Sequence, residues 1–114
     1  MGSLRETKII PLQANSTALS ESEVRNLFAE LAGWELIHVD GENRLQKKFQ
    51  FKDFGQALAF TDQVGAQAEK EDHHPSLLTE WGKVTVTWWT HKVRGLHQND
   101  FVMAARTDEL YGRK

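Results

Sequence analysis

Two strand–turn–strand signals separated by one amphipathic helix leave this chain few folds to adopt. The first runs from Trp34 to Val39, turns at Asp40-Gly41-Glu42-Asn43, and returns over Leu45 to Phe51 with Leu45, Phe49 and Phe51 on one side. The second sets Leu77 to Trp81 and Val84 to Trp89 on either side of Gly82-Lys83. Val84-Thr85-Val86-Thr87 alternates apolar and polar, the pattern of a strand with one face on a core. Between the hairpins, Asp53 is a good N-cap for a helix whose Phe54, Ala57, Leu58, Thr61, Val64 and Ala68 form the inward stripe. That helix must stop before Pro75, because the ring disfavours α geometry at His74. Two more helices flank this unit. Ser20 and Glu23 form a capping box ahead of the stripe Val24, Leu27, Phe28 and Leu31, with Gly33 placed to end the helix. Asn99 to Glu109 is the last helix, with Phe101, Ala104 and Ala105 inward. The order α-β-β-α-β-β-α predicts an α+β fold, a four-stranded antiparallel sheet with three helices packed on one face.

A chain of 114 residues suits one such domain. Its boundaries are expected as a poorly ordered N-terminal extension over 1–18, the domain over 19–110 and a C-terminal tail over 111–114. A net charge of −2 gives no basic footprint for direct nucleic-acid binding or for an anionic membrane. No apolar run approaches the roughly 20 residues that span a bilayer, and the first 17 residues lack the apolar core of a signal peptide. The absence of cysteine removes disulfides, thiolate metal sites and cysteine nucleophiles. A cytoplasmic protein is expected. The open edges of the sheet make pairing with another subunit one way to manage them.

The chemistry is concentrated in His73, His74 and His91. A turn symmetrical about Gly82-Lys83 sets Trp81 opposite Val84, Thr79 opposite Val86 and His74 opposite His91. Three readings compete for the cluster. The histidines can be helix-end and surface residues with no joint role. They can bind a metal, although spacings such as H-E-x-x-H are absent and adjacent histidines in an extended segment point to opposite sides. They can exchange protons, since imidazole titrates near neutral pH and Glu69, Glu71, Asp72 and Asp100 are near in sequence. Trp81, Trp88 and Trp89 add flat apolar surface, either for a planar substrate or as ordinary core. Asp100 can equally be a first-turn helix residue favoured by the helix dipole.

Glu69, then His73-His74-Pro75, then Trp81, His91 and Asp100 fill the signature of the pterin-4a-carbinolamine dehydratase family at allowed spacings. Gly33-Trp34-Glu35, Phe49 to Phe54, Val84-Thr85-Val86, Thr90-His91 and Gly95-Leu96 match as well, so the chain resembles that family from about Leu19 to Asp108. Departures are Ser76 where the family is often acidic, Trp81 where it more often has Tyr, and His97 where Thr usually caps the last helix. The resemblance implies dehydration of 4a-hydroxytetrahydropterin to quinonoid dihydropterin, in the tetrahydrobiopterin cycle of the aromatic amino acid hydroxylases. It implies proton transfer by His73 and His91, pterin binding by His74 with Pro75 and Thr90 lining the site, and support from Glu69, Trp81 and Asp100. It implies no metal and no cofactor, pterin being the substrate, and a homodimer or homotetramer. The same family also serves as a dimerisation cofactor of a homeodomain transcription factor, so a protein-binding module or assembly factor is the alternative.

Overall fold

The first hairpin closes on two residues. Asp40 and Gly41 have φ of 53° and 77°, the pair of left-handed residues that matches the twist of the flanking strands. Strand β1 (Glu35–Val39) therefore meets β2 (Glu42–Gln50) with Val39 opposite Glu42, and β2 starts earlier than the four-residue turn implied. The computed structural model describes residues 4–112 and contains the expected order: α1 (Glu21–Phe28), β1, β2, α2 (Phe54–Glu71), β3 (Ser76–Glu80), β4 (Lys83–Trp88) and α3 (Gln98–Gly112). The sheet is antiparallel in the order β1-β2-β4-β3. No helix among the described residues is long and apolar enough to cross a membrane.

One face of the sheet carries the core. Leu45 and Phe49 of β2 and Val84, Val86 and Trp88 of β4 are buried against Ala57, Phe60, Val64 and Ala68 of α2 and against Phe101 and Ala104 of α3. Burying each large side chain of this set contributes about 1.5–3 kcal/mol. The capping box is present, with Glu23 N–H donating to Ser20 Oγ and Ser20 N–H to Glu23 Oε1. Asp53 caps α2 by accepting from Gln56 N–H at 2.8 Å. Three local expectations are corrected. Gly33 does not end α1, which stops at Phe28 with Ala29 as its cap; Gly33 (φ 83°) sits in the turn before β1. The inward stripe of α2 includes Phe60, whereas Phe54 and Leu58 are exposed; Thr61 bonds Thr79 of β3. Helix α3 continues past Glu109 and past the boundary expected at 110, and Tyr111 packs its ring 5.0 Å from Phe49 and 5.5 Å from Phe51.

The second hairpin differs in register. Thr79 faces Val84 and Leu77 faces Val86, so the turn is Trp81-Gly82 and not Gly82-Lys83. Gly82 has φ of 76°, the value demanded of the second central residue of a type II turn. Its carbonyl accepts from Phe51 N–H, and a Cβ there would lie 3.2 Å from Phe51 O. The strand begins at Ser76, so His74 is outside the ladder and does not pair with His91. Of the extension expected over 1–18, residues 1–3 lie outside the described residues, and the stretch from Leu4 to Ile10 runs against α3. Leu4 joins the core, and Arg106 donates to the carbonyls of Arg5 and Thr7.

Candidate active site

The end of α2 delivers the first two histidines. Asp72 caps the helix in left-handed geometry, φ 53°, and His73 N–H reaches back to Ala68 O at 3.1 Å, the six-to-one bond that reverses a chain leaving a helix. Asp is one of the few side chains that takes this conformation at small cost. The reversal carries His73 inward, where it is 7% exposed and stacks on Trp88, with centroids 5.8 Å apart and planes at 17°. His74, next in the chain, stays exposed. Its Nε2 meets Glu69 Oε1 at 2.6 Å, a solvated pair of the kind that adds at most about 1 kcal/mol.

The start of α3 holds His73 in place. Asp100 has no exposed surface. Its Oδ2 accepts from the Thr90 hydroxyl at 2.7 Å and from His97 N–H at 2.9 Å, and its Oδ1 lies 2.6 Å from His73 Nε2. Thr90 and His97 act there as donors, which makes the carboxyl group the acceptor for a proton on His73 Nε2. In the neutral ring Nδ1 is then the acceptor nitrogen of His73. The His97 ring in turn accepts from Asn99 N–H through Nδ1 at 3.1 Å. His97 and Asp100 thus cap α3 reciprocally, in the manner of a Ser/Glu capping box. Asp100 is both the first-turn residue and the anchor of His73. Burial pulls the His97 imidazole below its ordinary titration range, with Asp100 opposing that shift and His73 adding to it.

His91 opens a single 3-10 turn (His91–Val93) between β4 and α3, closed by Thr90 N–H bonding Gly95 O at 2.9 Å. A cleft of about 240 Å³ is lined by Leu12, Asp72, His73, His74, Trp89, Thr90, His91 and Lys92. His73, His74, Thr90 and His91 therefore share one cleft. His74 and His91 meet there not as cross-strand partners but because the start of β3 adjoins the end of β4. Trp81 is not brought in. It stands 74% exposed at the hairpin tip, roughly 15 Å along β3 from Ser76. Glu69 touches His74 alone among the three histidines, and Pro75 does not line the cleft. No group of three or more His, Asp or Glu side chains placed to hold a metal occurs among the described residues.

His97 departs from the family's usual Thr, and Leu12 carries no sequence signal for the site. Trp88 could have been placed beneath the site from the period of β4, since it shares the inward face with Val84 and Val86. Residues 17–110 match the family model described as pterin 4 alpha carbinolamine dehydratase. A Microcystis aeruginosa protein named a pterin-4-alpha-carbinolamine dehydratase is 54% identical over 111 residues, covering 97% of this chain and 96% of the relative. A crystal structure from Brucella melitensis, described as a transcriptional coactivator/pterin dehydratase, is 36% identical with a TM-score of 0.76, covering 84% of this chain and 100% of the other. A pterin dehydratase-like protein described as a RuBisCO assembly factor in the alpha-carboxysome is 26% identical with a TM-score of 0.60, over 70% of this chain and 90% of the other.

Proposed function

The chain belongs to the pterin 4 alpha carbinolamine dehydratase family, and from that premise we propose that it is a hydro-lyase acting on 4a-hydroxytetrahydropterin. The observation that carries the reading is the His73–Asp100 pair at 2.6 Å, in a cleft that His74, His91 and Thr90 also line.

The reaction is loss of water from a carbinolamine. The N5 lone pair forms the C4a–N5 double bond as the C4a–O bond breaks, the departing oxygen takes a proton, and N5 releases one. The product is quinonoid dihydropterin. The step changes no oxidation state, so imidazoles suffice as the apparatus and no cofactor is needed. His73 has Nε2 engaged by Asp100, so Nδ1 is its base toward N5–H, and the carboxylate stabilises the imidazolium that forms. His91 gives the proton to the 4a-hydroxyl. His74, with Thr90 on the same cleft, holds the ring, and Glu69 steadies His74. Each positioned acid or base typically supplies about 10²–10⁴-fold. The reading extends to a cytoplasmic homodimer or dimer-based tetramer that returns pterin to an aromatic amino acid hydroxylase. A scaffold or assembly factor would have no use for this histidine set.

His73→Ala and His91→Ala should each lower dehydratase turnover by more than about tenfold while the circular dichroism spectrum is retained. Unchanged turnover in both variants would sink the mechanism.

A further inference from the structure

Residues 9–12 lie outside the span matched by the family model, which begins at residue 17, yet they wall the cleft beside His73. One side chain fastens them. Ile10 N–H donates to Asn99 Oδ1 at 2.9 Å, and Asn99 Nδ2 donates to Ile10 O at 2.7 Å. Asn99 is 1% exposed, and a buried amide needs its partners, so the side chain and the segment fix each other. Two turns further along α3, Arg106 donates to the carbonyls of Arg5 and Thr7. Asn99 and Arg106 are seven residues apart on the helix and so share one face, which the segment follows.

Two clefts meet at this wall. The smaller, about 240 Å³, holds His74, Trp89, Thr90 and His91. The larger, about 480 Å³, is lined by Lys70, Glu71 and Asn99 together with Ile9, Ile10 and Pro11. Leu12, Asp72 and His73 line both, so half-buried Leu12 stands at the junction. On the dehydratase reading, on which this inference rests, we propose that Leu12 is a specificity-determining residue positioned by Asn99. The reacting bicyclic ring occupies the smaller cleft. A hydroxylated side chain on that ring passes Leu12 into the larger one. Hydroxyls both donate and accept, and Lys70 and Asp72 offer a complementary donor and acceptor there, Glu71 being paired with Arg106 at 2.7 Å, whereas an unbranched apolar substituent gains nothing from them.

The test is steady-state kinetics of the full chain with two carbinolamines, one bearing a dihydroxypropyl group on the ring and one bearing methyl. Leu12→Ala should raise KM for the hydroxylated substrate roughly five- to tenfold, with kcat within about twofold and KM for the methyl substrate within about twofold. Asn99→Ala should reproduce that split and speed amide exchange at Ile10. If Asn99→Ala fails to fold, Leu12→Ala decides alone. KM values that stay put for both substrates, or rise equally for both, overturn the assignment. Wild-type protein that accelerates neither substrate overturns the dehydratase reading and this inference with it; active wild type with an unmoved Leu12→Ala overturns the inference only.

Discussion

Asp100→Asn exchanges one carboxyl oxygen for an NH₂ at the point that holds His73. In the native site Oδ2 accepts from Thr90 Oγ1 at 2.7 Å and His97 N–H at 2.9 Å, while Oδ1 lies 2.6 Å from His73 Nε2. The His97 backbone can only donate, so the new amide must keep its oxygen on that side. Its NH₂ then faces Nε2 of His73. Two donors cannot bond, and the imidazole answers by moving its proton to Nδ1. The nitrogen assigned to take the N5 proton is thereby converted from acceptor to donor. Losing a positioned base costs about 10²–10⁴-fold, and the corresponding wrong-tautomer exchange in the serine protease triad costs about 10⁴-fold. We expect kcat to fall roughly 10²–10⁴-fold with KM within about threefold. Asp100 has no exposed surface, so losing one charge-assisted bond should also cost about 1.5–3 kcal/mol. Turnover is therefore read well below the variant's Tm, with nitrogen-15 chemical shifts of His73 reporting the tautomer. A folded variant with kcat within about twofold of wild type would show that Asp100 does not set the tautomer on which turnover depends.

Other substitutions separate the roles. His74 is exposed and bonded to Glu69, so His74→Ala should raise KM about three- to tenfold and leave kcat within about threefold; a kcat loss equal to that of His73→Ala would contradict a holding role. Trp81 is 74% exposed at the hairpin tip, so Trp81→Ala should move turnover less than about twofold and stability by no more than about 0.5 kcal/mol. A tenfold loss would place it in the site after all. Burial depresses the His97 imidazole in the folded protein. The unfolded chain then takes up that proton first as pH falls, so stability drops from the ordinary histidine value of 6.5 downward through the lowered folded one. His97→Thr removes the titrating ring and keeps a capping oxygen, and it should flatten that part of the stability–pH curve. An unchanged slope in urea titrations would contradict it.

What the sequence alone makes legible is local. The Ser20–Glu23 box and the Asp53 cap each join groups three residues apart, so their chemistry is visible in a short window. The hairpin register was not, because Gly82 suits the first central position of one turn type and the second of another. A positive φ, 76° here, serves both, and only the pairing of Glu80 with Lys83 selects Trp81-Gly82. Along α2 the spacing admits either edge of the Ala57, Val64 and Ala68 stripe, and it is Phe60 that the sheet buries, with Phe54 and Leu58 left exposed. At the site, residue type and spacing collected His73, His91 and Asp100. The family likeness adds Thr90 as a lining residue, but its hydroxyl bond to Asp100 shows only in the fold, as does the role of His97, whose backbone donor exists only once α3 begins. Ile10 meets Asn99 across 89 residues of chain, a contact no periodicity announces.

The most direct measurement is the rate at which purified chain removes enzymatically generated 4a-carbinolamine, followed by ultraviolet absorbance against the spontaneous reaction. Acceleration should rise in proportion to protein concentration and be nearly abolished in His73→Ala. A rate equal to the spontaneous one at every protein concentration would contradict it.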